Sequence, residues 1–295
     1  MSDEIFPTHI IVLYDSATAV SKSGLPGLNR MFYNYEATMK YLNFLLSAIA
    51  FPLLAGFALQ PAAEAYSASD VAAVTGGQNC PNADLRGADL SGADLTGLDL
   101  TAANLQNANL TGARLERAIL NQASLQGCNL KRAVFSEAQL TDANLQKVDA
   151  PYAYFGHAVM KNADLSGGNF FRADFRGATL TGLTAFSGNF QEATFDKADL
   201  RRTDFTFANL AYGWFFQSDL SDSILTGANL YEINGTGLKA QRANFSSAKM
   251  GKARLSNGDF TEAVFENAML DKANLKGAVL KNTVWGTAFK EHAEF

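Results

Sequence analysis

Residues 83–97 read Ala83-Asp84-Leu85-Arg86-Gly87, Ala88-Asp89-Leu90-Ser91-Gly92 and Ala93-Asp94-Leu95-Thr96-Gly97, one pattern written three times in fifteen residues. The period continues without insertion or deletion to Trp285. Stepping by five from Leu85 to Trp285 gives 41 centres, of which 37 are Leu, Phe, Met or Trp; two residues before the centre, 36 of 41 positions are Ala, Gly, Ser, Thr or Cys. A period of five fits neither the 3.6-residue spacing of a helix nor the alternation of a strand. It fits a short extended piece with two inward residues, followed by a polar corner such as Arg86-Gly87, Ser91-Gly92, Thr111-Gly112 or Thr226-Gly227, where glycine suits the turn. One such unit cannot bury its own apolar side, so successive units must stack into a shared core.

The exceptions show how that core is filled. The four small centres, Ala150, Ala185, Gly235 and Ala240, are preceded two residues earlier by Val148, Leu183, Ile233 and Leu238, four of the five large residues in the small slot. Large and small have exchanged places, as expected where two slots share one volume and both overpacking and cavities destabilise. Leu98 with Leu100, near one end, is the uncompensated pair.

The A(D/N)L units over residues 83–287 closely resemble the pentapeptide-repeat family. The resemblance implies an all-β fold, a right-handed quadrilateral β-helix with four units and 20 residues per coil. Phe135, Phe155, Phe175, Phe195 and Phe215, at intervals of 20, are then expected to stack in one ladder. The units make roughly ten coils, about 50 Å at the usual strand spacing.

The domain organisation expected is an extension at 1–38, a signal peptide at 39–65, an N-terminal cap at 66–82 and the repeat at 83–295. Met39-Lys40, the apolar run Phe44 to Leu59 and Ala63-Glu64-Ala65 read as a signal peptide cleaved after Ala65. The alternative is an uncleaved membrane anchor, for which the apolar run is short. Residues 1–38 are either a translated extension or a start placed too early, Met39 being the true one. Ser69-Asp70, Val71 to Val74 and Gly76-Gly77 carry the cap, body and stop of a short helix covering the first coil. At the other end the pattern falters at Ala288-Phe289-Lys290, so the last coil, with Trp285 and Phe289, is expected to pair end to end with a second copy. The gyrase-binding members of the resembled family dimerise in that way.

Net charge is −5; residues 1–65 hold three Lys or Arg and five Asp or Glu, leaving 21 against 24 and −3 for the rest. This balance supplies neither a basic stripe for nucleic acid nor a strongly acidic surface that would mimic it. Cys128 falls in a small inward slot and Cys80 lies before the first repeat, about two layers away and beyond disulfide reach. His9, His157 and His292 have no ligand partners at metal spacing, and no nucleophile, phosphate or dinucleotide motif is present. No cofactor or metal is expected. Asp84, Asp89, Asn104 and Asn109 recur once per unit and read as turn-bonding groups rather than catalytic ones.

What remains is surface. Tyr152, Tyr154, Phe171, Phe186, Phe207, Tyr212, Trp214, Phe216 and Tyr231 all fall off the inward slots, and Tyr152 with Tyr212, Tyr154 with Trp214 and Phe171 with Tyr231 lie 60 apart, three coils along one corner. Of these, Tyr152, Tyr154, Phe171, Tyr212, Trp214, Phe216 and Tyr231 form the candidate surface for a protein partner. The favoured function is a non-enzymatic interaction module exported to the periplasm or thylakoid lumen, where exported members of the resembled family occur. The alternative is a cytoplasmic, DNA-mimicking gyrase binder, as known within that family.

Overall fold

A computed structural model describes residues 66–295, and the leader and its cleavage site lie outside them. The described chain opens with one helix, α1 (Ala68–Thr75). Its cap is Ser67, two residues before the position expected: the Ser67 hydroxyl accepts from the Asp70 N–H at 3.3 Å. Asp70 is thereby freed for the coil beneath, its carboxylate accepting from the Asp84 N–H at 2.9 Å while Ser67 N–H donates to the Asp84 carbonyl at 2.9 Å. Those are the two bonds that a residue in this position otherwise makes to a preceding coil, as Asn104 does with Ala83 and Leu85. The helix therefore substitutes for a coil as well as covering it. Val74 is its fully buried contact, and Gly77 at φ +78° ends it.

Parallel bridges then join residues 20 apart, from Asp84↔Asn104 through Asn274↔Glu294. Each pentapeptide contributes a single bridged residue, because the chain turns again before a longer strand can form. The β structure is thus four ladders around one coil. We number the faces I to IV after the residues 83–85, 88–90, 93–95 and 98–100 and their equivalents every 20 residues.

Hydrogen-bond demand explains the A(D/N)L signature. In the first unit Leu85 N–H and Gly87 N–H donate to the next coil at Asn104 O and Gln106 O, and Ala88 N–H closes the turn on Leu85 O. One donor is left over, Arg86 N–H, and the Asp84 carboxylate accepts it at 3.4 Å. The same bond recurs from Ser91 to Asp89, Thr96 to Asp94 and Gln106 to Asn104, and as far along as Lys276 to Asn274. A short acceptor before the centre therefore satisfies the backbone group the coil cannot. This is the turn-bonding role expected of Asp84, Asp89, Asn104 and Asn109.

The corner geometry is less dependent on glycine than the sequence suggests. Gly87 has φ +65°, but so do residues of every kind at the equivalent position, including Ala102 at +55°, Lys147 at +56°, Phe207 at +58° and Tyr212 at +61°. A left-handed residue costs about 1–2 kcal/mol outside glycine. It persists here because the inward slots and the backbone bonds of each unit fix the corner from both sides.

Inside, both slots are filled throughout. Phe135, Phe155, Phe175, Phe195 and Phe215 stack at 4.9, 4.9, 5.0 and 4.9 Å between ring centroids, behind face III. Phe170 and Phe190 stack behind face II at 4.9 Å. The rings reach over the small slot of their own unit: a Cβ added at Gly168, Gly188, Gly213 or Gly258 would lie 2.6, 2.6, 2.9 or 2.7 Å from the Cε2 of the phenylalanine two residues on. At Gly235 the neighbouring space is taken by the Leu238 and Leu255 side chains. Inward hydroxyls find carbonyls, Thr203 and Ser223 both donating to Leu200 O and Ser218 to Phe215 O.

Candidate protein-interaction surface

The seven aromatic residues named from sequence are brought to face III and the two corners that bound it. Tyr154 and Trp214 take the bridged position on the face itself, rather than at a corner, and are half exposed, at 49% each. Tyr152, Phe171, Tyr212 and Tyr231 lie on the corner between faces II and III, and Phe216 on the corner between III and IV. Phe186 and Phe207 are set apart on the corner between faces I and II, edge to face at 5.9 Å.

On the II/III corner the residues form two matching groups. Tyr152 packs edge-on to Phe171 at 5.8 Å, with the Arg172 guanidinium 5.1 Å from the Phe171 ring and bonded to Glu192 at 2.6 Å. Sixty residues later Tyr212 packs edge-on to Tyr231 at 5.8 Å, with Lys252 5.3 Å from the Tyr231 ring and bonded to Glu232 at 2.8 Å. The geometry is the same while the ion pair is reversed, Arg172–Glu192 becoming Glu232–Lys252. These pairs are not legible in the sequence as contacts, because partners 19 or 20 residues apart meet only once the coil length is fixed.

Phe135 to Phe215 line the inner side of this face, so the exposed aromatics stand on a rigid backing. On face III Asp174 is held by Arg176, two residues on, at 2.5 Å. Face II is different: Asn169, Asn189, Asn209 and Asn229 form a ladder of amide bonds, each Nδ2 donating one coil back, with Asn169 donating to Asp149. Its polar groups are occupied by one another.

At the last coil Trp285 is half-buried, stacked on Phe265 at 4.8 Å, and Phe289 is 51% exposed. Lys290 and Phe295 of the same chain already lie against the Trp285 ring. Val279 and Val284, in the bridged positions nearby, are also exposed.

Cys80 and Cys128 are both free. Cys80 is not outside the repeat: its N–H donates to Asp99 O at 2.9 Å, the bond a centre residue makes, and its side chain packs against the core. Burial pushes the Cys128 thiol up to about 12, and the thiol donates to Leu105 O at 2.8 Å. Among the described residues, no group of three or more His, Cys, Asp or Glu is placed to hold a metal ion, and no helix is long and apolar enough to cross a membrane.

The family model for pentapeptide repeats matches in eight copies, over stretches at 79–117, 99–136, 118–151, 152–182, 189–222, 215–251 and 248–284. Among solved structures the chain is similar to HetL, a pentapeptide repeat protein involved in heterocyst differentiation regulation from the cyanobacterium Nostoc sp. strain PCC 7120, at 31% identity over 68% of this chain and 88% of that one, with a TM-score of 0.41. It is similar to a trypsin-treated variant of QnrB1, a plasmid-mediated fluoroquinolone resistance protein, at 18% identity over 58% and 89%, TM-score 0.39. It also matches a pentapeptide repeat protein of the Arabidopsis thaliana thylakoid lumen at 27% identity over 39% and 66%, TM-score 0.19. No curated protein matches it.

Proposed function

Since the chain belongs to the pentapeptide-repeat family, we propose that it is a non-enzymatic protein-interaction module whose contact surface is face III with its two corners. Proteins of this family fold as right-handed quadrilateral β-helices and are generally structural or interaction modules. The 20-residue register of the bridges fits that fold, and the span from Asp84 to Glu294 corresponds to roughly ten coils. The observation that carries the proposal is the gathering of Tyr152, Tyr154, Phe171, Tyr212, Trp214, Phe216 and Tyr231 on one side of the stack. Aromatic side chains are enriched where surfaces are buried by partners, and these stand on a backing that needs no reordering to bind. Replacing Tyr154, Tyr212 and Trp214 together by Ser is expected to leave thermal stability nearly intact and to abolish co-purification of a partner from the native source. A large fall in stability would assign the three residues to packing instead.

The leader at 39–65 supports export, to the periplasm or the thylakoid lumen, with cleavage after Ala65. N-terminal sequencing of the native protein tests it, an intact N-terminus being the contrary result. The gyrase-binding alternative calls for a markedly acidic surface, which 21 basic against 24 acidic residues after position 65 do not supply. A second contact, end to end through the last coil, draws support from exposed Phe289, Val279 and Val284; the covering of Trp285 by Lys290 and Phe295 reduces what that end can offer.

A further inference from the structure

We propose that face III pairs with face III of a second copy of this chain, the two stacks running antiparallel about a twofold axis. The inference rests on the reading of face III as a contact surface and names its occupant. Its basis is the charge reversal on the II/III corner.

Read along that corner at one residue per coil, the row is Tyr152, Arg172, Glu192, Tyr212, Glu232, Lys252. When two faces meet about a twofold axis lying in the interface and perpendicular to the stacks, each corner row meets its own copy in reverse order. Centred between Glu192 and Tyr212, that operation sets Tyr152 against Lys252, Arg172 against Glu232 and Glu192 against Tyr212, each pair occurring twice. A cation faces an aromatic ring, opposite charges face each other, and a phenol O–H faces a carboxylate acceptor. Phe171 of one protomer comes level with Tyr231 of the other, so the two edge-to-face groups meet as well.

The rest of the face obeys the same operation. On the face itself Tyr154 meets Arg254, Asp174 meets Asn234 and Thr194 meets Trp214. On the III/IV corner Arg176 meets Thr236, Asp196 meets Phe216 and Lys197 meets Gln217. Over these six coils, about 29 Å at the usual strand spacing, no charge meets its like. The first like pair is one coil further out, Arg132 with Lys272, beside the opposite pair Lys131 with Asp271. A parallel twofold instead brings the II/III corner against the III/IV corner, setting Arg172 against Arg176 and Glu192 against Asp196. An isologous interface must be self-complementary, and only the antiparallel arrangement makes this row so.

The charges give the proposal a test that carries its own folding control. Full-length wild type is expected to sediment at twice the monomer mass at micromolar concentration. Arg172→Glu alone sets the new carboxylate against Glu232 twice, and Glu232→Arg alone sets the new guanidinium against Arg172 twice, so each variant is expected to be monomeric. Mixing the two restores opposite charges, and a heterodimer is expected; the doubly exchanged chain is expected to dimerise again on its own. Recovery on mixing shows that neither variant was misfolded. A monomeric wild type, single variants that remain dimeric, or a mixture that stays monomeric each overturns the self-pairing. Dimers that survive both charge changes but are lost with Trp285→Lys place the contact at the last coil. Failure here leaves the contact-surface reading standing, since that reading is decided by the Tyr154, Tyr212 and Trp214 replacement.

Discussion

Putting Leu in place of Ala173 adds three carbon atoms to a slot that is 1% exposed and lies beneath the ring of Phe175. Ala173 already sets a buried methyl beside that ring. Where the slot is Gly, before Phe170, Phe190, Phe215 and Phe260, the ring lies within 2.9 Å of where a Cβ would stand, so slot and ring compete for one space and the larger side chain can enter only by displacing Phe175. That ring is held between Phe155 and Phe195 at 4.9 and 5.0 Å and cannot tilt alone. The expected loss for Ala173→Leu is about 1–3 kcal/mol. Phe175→Ala alone leaves a void in the ladder and is expected to cost about 3–5 kcal/mol. The double variant reproduces the arrangement the protein already uses at Leu183 and Ala185, both buried. It should therefore lose well under the sum, with a coupling of about 1–3 kcal/mol. Equilibrium urea unfolding of the four proteins, followed by circular dichroism, gives the cycle directly. If the double variant matches the sum of the singles within about 0.5 kcal/mol, the two slots do not share one volume and the packing argument fails.

Three further outcomes follow from the corners, the carboxylates and the buried thiol. Ala102→Gly should raise stability by up to about 1 kcal/mol, since it relieves a left-handed residue at a modest cost in unfolded-state entropy; a loss would mean that the φ of +55° is not strained. Bonds from Ser91, Thr96 and Thr101 hold the carboxyls of Asp89, Asp94 and Asp99 below their ordinary value, as the Arg86 bond does for Asp84. Such groups stabilise the fold above their unfolded pKa, about 3.9, and that contribution disappears as pH falls through the lower native value. The unfolding midpoint should accordingly be flat from neutral pH to about 5 and fall below about 4, and a midpoint that rises in acid would refute it. Native Cys128 should resist alkylation at neutral pH until the chain opens, while half-buried Cys80 reacts sooner; equal rates would show that the core around Cys128 is loose.

Much of the fold is legible because the repeat is local. The two slots, the Leu183/Ala185 type of exchange and the turn-bonding Asp and Asn all concern residues within one unit, so spacing alone reveals them. What escapes a reading by spacing depends on the coil or on its ends. Lys147 and Phe207 carry no signal for a positive φ, since the strain is imposed by neighbours above and below. Cys80 reads as external because Gln78 spoils the small slot before it, though its backbone is already in register. Ser69 reads as the cap of α1 in place of Ser67, because only docking onto Asp84 decides between the two serines. For the surface, the 60-residue spacing of Tyr154 and Trp214 is visible in the sequence, whereas the opposed ion pairs Arg172–Glu192 and Glu232–Lys252 emerge with the 20-residue register.

Face III as the side that meets another protein is the central functional claim. A photoreactive phenylalanine analogue placed at Trp214, and separately at Ile224 on face I, compares two positions of similar exposure, 49% and 44%. In protein from its native compartment, irradiation should yield interprotein cross-links from position 214 and none from 224. Cross-links from 224 with none from 214 would contradict the assignment.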